Sequence, residues 1–297
     1  MGEYVLDPYV RGMKVLYSPA MVARPDSFSP SAEKPARVVA SWADLPITLM
    51  TPTPVTLDEL ARAHDRRWVE AVLAGRADNG FGDRSPEVAR SLPFTSGAML
   101  SAARLAMAER TITCAPCSGF HHAGWDAAEG FCTFNGLVVA ACALLADGAR
   151  RVGIVDCDMH YGDGTDAILA RLALGDRVVH WTAGAKYARR EDAASFFREL
   201  PVIVRSMAGC DVVLYQAGAD PHVDDPLGGW LTTEELAERD RIVFRGFAAH
   251  AVPVAWNLAG GYQREADGSI PKVLAIHRNT AEAALEVSRS SHPRLRR

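Results

Sequence analysis

The segment that decides the fold covers residues 151–164 and reads Arg-Val-Gly-Ile-Val-Asp-Cys-Asp-Met-His-Tyr-Gly-Asp-Gly. Its first half is short, apolar and rich in β-branched residues, which is typical of a buried strand in a parallel sheet. Its second half is polar and begins where such a strand ends. Because side chains alternate along a strand, the spacing predicts that Asp156, Asp158 and His160 point in the same direction.

Similar apolar runs occur along the chain and are separated by amphipathic stretches. Strands are predicted at 14–17, 47–50, 111–114, 151–155, 177–181, 211–215 and 252–257, and helices at 57–74, 98–109, 136–146 and 233–250. The alternation predicts an α/β fold with a central, mainly parallel sheet flanked by helices on both faces. Pro253 should lie at a strand start or an edge, and residues 75–92 should form a long surface loop.

Composition restricts the class of protein. The 297 residues are 48% hydrophobic, which is ample for a sizeable core, and the length allows one large α/β domain or two small ones. We expect a single domain over 1–297 with its core at about 13–285. A net charge of −4 without a basic stripe argues against a nucleic-acid partner, and the basic cluster at 294–297 is expected to be a frayed tail. With no signal peptide expected at 1–17 and no apolar run of membrane-spanning length, a cytoplasmic protein without a membrane partner is predicted.

A set of potential metal ligands follows two of the predicted strands. Asp158 and His160 follow the strand at 151–155, and Asp220 follows the strand at 211–215. Three ionisable groups at buried strand ends repel one another or lose hydration unless a cation neutralises them. Two carboxylates and one imidazole suit Zn²⁺, and three protein ligands leave a coordination position open, as in catalytic sites.

Two adjacent histidines, His121 and His122, follow the strand at 111–114. They could be ordinary packed histidines, but Asp156 and Asp163 are available to accept from their ring nitrogens. Two His–Asp pairs beside a metal are suitable for general acid–base hydrolysis. Tyr262, which follows two glycines, could donate to an oxyanion or could simply pack at a turn.

Taken together, these segments closely resemble the histone deacetylase and acetylpolyamine amidohydrolase superfamily. The resemblance covers most of the chain in the family's order, with weaker likeness at 34–37 and 60–64. The matching segments are Ser-Gly-Phe-His-His-Ala at 118–123, Glu-Gly-Phe-Cys-Thr-Phe-Asn at 129–135, residues 155–164, Gln-Ala-Gly-Ala-Asp at 216–220, Asp-Pro-Leu-Gly at 225–228 and Leu-Ala-Gly-Gly-Tyr at 258–262.

The resemblance implies an arginase-like α/β domain that removes an acetyl or other short acyl group from an amine and releases acetate. It implies Zn²⁺ held by Asp158, His160 and Asp220. A monovalent cation such as K⁺ is often bound nearby, here by Asp156, Asp158 and the His160 backbone. The implied partner is an acetylated small amine, a polyamine or an acetyl-lysine peptide, and a homo-oligomer is compatible with the family.

The resemblance also implies roles for the remaining site residues. His122, paired with Asp163, would be the principal general base and acid. His121, paired with Asp156, would stay cationic or assist electrostatically. Tyr262 would polarise the amide carbonyl together with zinc.

Substrate contacts are implied at three further positions. Phe131, after Gly130, would form one wall of the tunnel that holds the substrate, and Arg37 would line the inner cavity through which acetate leaves. The chain departs from the family at 28–33, where a His-Pro element is usual, and at 180–182, where Ser-x-His is common. The second departure bears on the monovalent site and on the second tunnel wall.

Several alternatives remain open at this stage. Asp83 is a candidate for the rim aspartate, and Asp78, Asp83 and Glu87 could form an acidic entrance for polyamines or be ordinary solvated carboxylates. An arginase-like ureohydrolase would need two Mn²⁺ ions and further ligands near His222. Besides the deacetylase and the ureohydrolase, a third interpretation is a non-catalytic module that binds an acyl-lysine or another ligand. Residues 114–117 read Cys-Ala-Pro-Cys and are expected to hold a structural thiol pair.

Overall fold

A computed structural model of the protein describes residues 12–290. Residues 1–11 and the expected tail at 294–297 lie outside this range. The strands are β1 Met13–Leu16, β2 Ile47–Met50, β3 Ile112–Ala115, β4 Val152–Asp156, β5 Val178–Thr182, β6 Val212–Gly218 and β7 Val254–Ala259. All seven predicted strands are therefore present, with boundaries that differ by a few residues.

The strands form one sheet in the order β2-β1-β3-β7-β6-β4-β5, and each pairing among them is parallel. The predicted α/β fold with a parallel sheet is confirmed. β7 begins directly after Pro253, whose carbonyl accepts from the Val213 N–H at 3.0 Å. The proline thus lies at the strand start, where its missing N–H does not interrupt the ladder.

Nine α-helices surround the sheet in the described range: α1 Lys34–Ser41, α2 Leu57–Leu60, α3 Arg66–Leu73, α4 Pro86–Glu109, α5 Gly136–Ala146, α6 Asp163–Arg171, α7 Ala193–Ser206, α8 Thr233–Ala249 and α9 Pro271–Ser290. Within this range no helix is both long and apolar enough to cross a membrane.

The helix predicted at 57–74 and the loop predicted after it are both wrong in extent. The stretch at 57–74 is two helices, because the Asp65 side chain accepts from the Trp68 N–H and starts α3 anew. The loop predicted at 75–92 is shorter, because α4 already begins at Pro86. Ser85 caps this helix by accepting from the Val88 N–H, and proline is favoured in the first turn.

Apolar side chains cover both faces of the sheet. Along β4, Val155 packs with the cluster under α1, α7, α8 and α9, whereas Ile154 packs with the cluster under α2 to α6. Every residue of β4, β6 and β7 is buried, as expected for central strands of a doubly covered sheet. The carboxyl ends of the adjacent strands β3, β7, β6 and β4 meet at one edge, where polar side chains collect.

Candidate metal and hydrolytic site

The polar residues after β4 converge through turns rather than through strand alternation. β4 ends at Asp156, so Asp158 and His160 lie after the strand, as predicted, and the alternation of side chains along a strand does not set their direction. Asp156 Oδ1 accepts from the Asp158 N–H at 3.0 Å, and Asp158 Oδ1 accepts from the His160 N–H at 3.0 Å. Aspartates readily form such turns with the backbone two residues further on. The three side chains are nevertheless brought to one place.

Asp158, His160 and Asp220 form the one group of three or more possible metal ligands within residues 12–290. Both carboxylates are buried. His160 Nδ1 lies 3.2 Å from Asp158 Oδ1 and 3.1 Å from Asp220 Oδ2. Ligands at about 2.0–2.2 Å from a tetrahedral zinc are separated by about 3.3 Å, so the donor atoms and their spacing fit such an ion.

The charges in this group reflect the crowding of two carboxylates. Burial and the charge of Asp158 raise the pKa of Asp220 to about 7, whereas His121 and His160 hold the pKa of Asp158 below its usual range despite burial. Hydrogen bonds to Asp158 and Asp220 raise the pKa of His160 to about 10. In the metal-free protein His160 therefore carries a proton that a metal would have to displace.

Two glycines allow the carboxylates to come this close. A Cβ placed on Gly260 would lie 2.0 Å from Asp220 Cγ, and one on Gly218 would lie 2.6 Å from the Asp158 Cα. Gly260 and Gly261 adopt φ of 48° and 86°, a region that disfavours other residues. The turn brings Tyr262 to the site, as the sequence suggested.

The Tyr262 hydroxyl is kept protonated by its surroundings. Burial, followed by the charges of Asp220 and Asp158, raises its pKa well above the usual range. The Tyr262 N–H donates to Asp225 Oδ2 at 2.8 Å, which fixes the backbone at this point. A protonated phenol held in this way is suited to donate a hydrogen bond to an oxyanion.

Each of the tandem histidines has the predicted aspartate partner. His121 Nδ1 lies 2.7 Å from Asp156 Oδ2, and His122 Nδ1 lies 2.7 Å from Asp163 Oδ1. The two imidazole rings are adjacent, with centroids 4.1 Å apart. His121 also reaches towards the metal-ligand group, because its Nε2 is 3.6 Å from Asp158 Oδ1.

The two imidazoles differ in charge. Burial opposes protonation of His121, but Asp156, Asp158 and Asp220 together outweigh it and raise its pKa to about 9. Burial and the neighbouring charge of His121 lower the pKa of His122, although Asp163 partly compensates. At neutral pH one of the two adjacent histidines, His121, is thus cationic and the other, His122, is neutral, as general acid–base chemistry requires.

The histidine loop is positioned by contacts that the motif alone does not reveal. His64 is buried, with Nδ1 2.8 Å from the Gly124 carbonyl and Nε2 accepting from the Asn135 N–H at 2.9 Å. Burial lowers its pKa to about 4, so this histidine is neutral and braces the loop. The Thr165 N–H donates to the His121 carbonyl at 2.9 Å and joins the loop to α6.

Aromatic rings surround the side of the site formed by Tyr262. The Phe131 ring centroid lies 5.6 Å from Tyr262, 5.3 Å from Phe28 and 5.8 Å from Phe81. Gly130 packs directly on His122, since a Cβ there would lie 2.5 Å from the His122 Cδ2. Phe28 and Phe81 were not singled out from the sequence, and Phe28, at 61% exposure, was visible only as part of a departure from the family.

Arg37 is not brought to this cluster. Its guanidinium donates to Glu33 and to the Gly268 carbonyl, at 2.8 and 2.9 Å, and remains about one-third exposed. The cation nearest the site on α1 is instead Lys34, which is fully buried and donates to the Gly260 carbonyl. Burial lowers the pKa of Lys34 to about 8, although Asp220, Asp158 and Asp225 oppose this effect.

The acidic residues of the long loop have local partners. Asp78 pairs with Arg84 at 2.6 Å. Asp83 Oδ1 accepts from the Asn79 side chain at 2.5 Å and from the Ser85 N–H at 2.8 Å. These contacts organise the loop before α4, and a substrate contact by Asp83 stays a prediction.

The residues that could indicate a second metal ion or a reactive cysteine pair have other roles in the structure. His222 Nε2 lies 2.9 Å from Thr233 Oγ1, and Asp224 pairs with Lys272, so neither residue joins the metal-ligand group. A second ion of the arginase type therefore finds no ligand set in the described chain. Cys114 and Cys117 are free and buried, and burial raises the pKa of both thiols, which is typical of inert structural cysteines.

Fold and site together define a parallel α/β protein of hydrolytic character. The family model of the histone deacetylase domain matches residues 31–179, and the chain belongs to this family. An uncharacterised protein of Picosynechococcus is 30% identical over 250 residues, which is 72% of this chain and 81% of that protein. Acetylpolyamine amidohydrolase 1 of Pseudomonas aeruginosa is 49% identical over 51 residues, covering 17% of this chain and 15% of the relative.

Among solved structures, the HD domain of HDA15 superposes with a TM-score of 0.74 at 21% identity, covering 93% of this chain and 90% of that one. At this identity the likeness shows the fold alone. Family membership supports hydrolase activity of the deacetylase type and implies a metal cofactor.

Proposed function

We propose that the protein is a zinc-dependent amide hydrolase that removes an acetyl or other short acyl group from an amine. The observation that carries the proposal is the contact between a cationic and a neutral histidine, each held by an aspartate, beside the Asp158–His160–Asp220 group. A structural metal site needs no such pair, whereas amide hydrolysis needs a base, an acid and an electrophile.

The residues of the chain divide the chemistry as follows. When bound, zinc would supply a Lewis acid for the carbonyl and make water more acidic. His122, whose Nδ1 is held by Asp163, accepts the proton of the attacking water and then passes it to the leaving amine. His121 remains cationic, and Tyr262 donates to the oxyanion. On the substrate side, Gly130 packs against His122 and the Phe131 ring packs against Tyr262.

A monovalent cation such as K⁺ is proposed next to this group, at Asp156, Asp158 and the backbone of His160. Thr182 is a further candidate ligand. It lies opposite Asp156 in the β4–β5 register, and its hydroxyl accepts from the Gly162 N–H at 3.2 Å. Threonine thus provides an oxygen although the family's Ser-x-His sequence is missing at 180–182.

The substrate class is best decided by testing the candidate substrates side by side. Acetate release should be measured from acetyl-lysine peptides, acetylpolyamines and small N-acetyl amines with the zinc-loaded protein. We expect release from at least one class, and loss of that release with a chelator. If zinc-saturated protein releases no acyl group from any of these substrates, the proposed function is wrong.

Tyr262→Phe tests the assignment of the oxyanion donor. Loss of one such donor typically lowers kcat by about 10²–10³-fold, whereas zinc content should stay at the wild-type level. Tyr187→Phe is a matched control, because that hydroxyl bonds to Glu199, which is not among the site residues. Near-normal turnover in Tyr262→Phe would remove the tyrosine from the mechanism.

A further inference from the structure

Two cationic side chains, Lys34 and Arg239, are wholly buried behind the site. They come from α1 and α8, which cover the same face of the sheet. A buried charge is costly unless it is paired and fully hydrogen-bonded, and a buried pair is weak evidence for a purely stabilising role. Their hydrogen bonds therefore indicate what they do.

Arg239 joins the two strands that lead to the metal ligands. Its Nη1 donates to the Cys157 carbonyl at 3.2 Å and to the Gly218 carbonyl at 2.6 Å. Cys157 directly precedes Asp158, and Gly218 is two residues before Asp220. One guanidinium thus sets the separation of the backbones from which both carboxylate ligands project.

The Arg239 guanidinium is itself held in place. Its Nε donates to Asp240 Oδ1 at 2.9 Å, and the Tyr215 hydroxyl donates to the same oxygen. Asp240 Oδ2 accepts from Thr280 Oγ1 at 2.6 Å. Contacts from β6, α8 and α9 therefore orient a planar fork of donors that lysine could not reproduce.

Lys34 holds a different part of the site. Its ammonium donates to the Gly260 carbonyl, at the start of the glycine turn that leads to Tyr262. The other end of this turn is held by the hydrogen bond from the Tyr262 N–H to Asp225. None of the hydrogen bonds of Lys34 reaches Asp158, His160 or Asp220 in the described chain.

We propose that these two buried cations are positioning residues with separate tasks. Arg239 sets the geometry of the metal ligands and hence the affinity for the metal, whereas Lys34 fixes the Tyr262 turn and hence turnover with the metal in place. The second task rests on the proposed function. The first requires only that the Asp158–His160–Asp220 group binds a metal.

Zinc affinity is the first measurement, made on metal-free protein by competition with a chromogenic chelator. Arg239→Lys keeps the charge but cannot reach both carbonyls, and we expect about 10–100-fold weaker zinc binding, as for other residues that orient ligands. Lys34→Met should not weaken zinc binding by more than about threefold, because it removes no hydrogen bond to a ligand and the loss of its positive charge near Asp158 and Asp220 favours the metal. Arg245→Met, on the exposed side of α8, is the matched control.

Turnover and hydrogen exchange complete the test. At saturating zinc, Lys34→Met should lower kcat at least about tenfold with little change in KM, because Tyr262 acts mainly in the transition state. The backbone amides of residues 260–262 should exchange faster in Lys34→Met than in the wild type. Arg239→Lys should recover most of its kcat when zinc is saturating.

Each outcome decides the proposal. Unchanged zinc affinity in Arg239→Lys, even with a lower unfolding midpoint, means that Arg239 is only structural. Equal losses of zinc affinity and kcat in both variants contradict the separate tasks. If Lys34→Met does not fold, Lys34→Arg takes its place. Unchanged hydrogen exchange at residues 260–262 together with unchanged kcat in Lys34→Arg would overturn the role proposed for Lys34. If the wild type binds zinc but hydrolyses nothing, the proposed function fails while the zinc measurement still decides the role of Arg239.

Discussion

The pairs His121–Asp156 and His122–Asp163 have Nδ1–Oδ separations of the same length, 2.7 Å, in different surroundings. Both members of the first pair are buried, and Asp156 also accepts from the Gln216 side chain at 3.1 Å. In the second pair, His122 is 20% and Asp163 50% exposed. The pKa of His121 is raised to about 9, whereas that of His122 is lowered.

The comparison shows that the aspartate contact does not decide the charge of each histidine. His121 faces three buried carboxylates, and their combined field outweighs burial. His122 has one half-exposed partner, and the cation next to it opposes a second positive charge. Adjacent residues thus acquire different protonation states because one of them lies deeper among the metal-ligand carboxylates.

The largest expected difference between the pairs is in turnover. His122→Gln should lower kcat by about 10²–10⁴-fold, because it removes the base, while zinc content is retained. His121→Gln should lower kcat less, because it removes an electrostatic contribution. Steady-state kinetics on zinc-saturated protein checks the order. A larger loss of kcat in His121→Gln than in His122→Gln would mean that His121 is the base and His122 the electrostatic contributor.

The pairs should also differ in their contribution to stability. Asp156→Asn breaks a buried pair and should lower the free energy of unfolding by about 3–5 kcal/mol. Asp163→Asn affects a half-exposed pair and should cost about 0–1 kcal/mol. Denaturant unfolding of the metal-free proteins compares them. Equal losses of unfolding free energy would mean that the His122–Asp163 pair stabilises the fold more than its exposure indicates.

Asp156→Asn and Asp163→Asn should shift the acid limb of the pH profile of kcat/KM in opposite directions. His122 must be neutral to accept a proton, so activity is present above its pKa and is lost as pH falls through that value. Asp163→Asn removes a group that favours protonation, so the limb should move to lower pH. Asp156→Asn should neutralise His121 and move the limb up by about one pH unit. Shifts in the same direction would rule out the coupling between the histidines.

The smallest expected effect is proton release on zinc binding. His160, with a pKa of about 10 in the metal-free protein, is protonated at pH 7 and must lose that proton to coordinate. About one proton or more should be released per zinc, and affinity should rise with pH up to that pKa. Calorimetry in two buffers of different ionisation enthalpy measures the number. Asp163→Asn is the control and should release the same number, and no release would mean that His160 is not a ligand.

All seven strands and the grouping of their polar ends could be predicted from the sequence. Buried parallel strands are short runs of β-branched residues, and their carboxyl ends share one edge of the sheet, so Asp158, His160 and Asp220 were expected to meet. Helix boundaries were less predictable. Asp65 starts a new helix inside an apolar period that looks continuous, because one side-chain hydrogen bond can interrupt such a period.

The buried cations could not be predicted in the same way. Lys34 precedes a proline at a helix start, and Arg239 stands beside Asp240, both of which resemble ordinary solvated residues in sequence. Their burial depends on how α1 and α8 pack over the sheet. Arg37, in the same helix as Lys34, was assigned to the inner cavity, but it lies three residues further along, where the side chain remains partly in solvent.

The sequence by itself predicted the strands of the sheet and the grouping of Asp158, His160 and Asp220, because these depend on residue type and on where each strand ends, whereas the pairing of each histidine with its aspartate was implied by the family resemblance. Only the tertiary structure decided which histidine is charged, which cations are buried and which aromatic rings meet Tyr262. Those properties arise from distances between segments far apart in the chain, and electrostatic and packing energies depend on such distances rather than on sequence order.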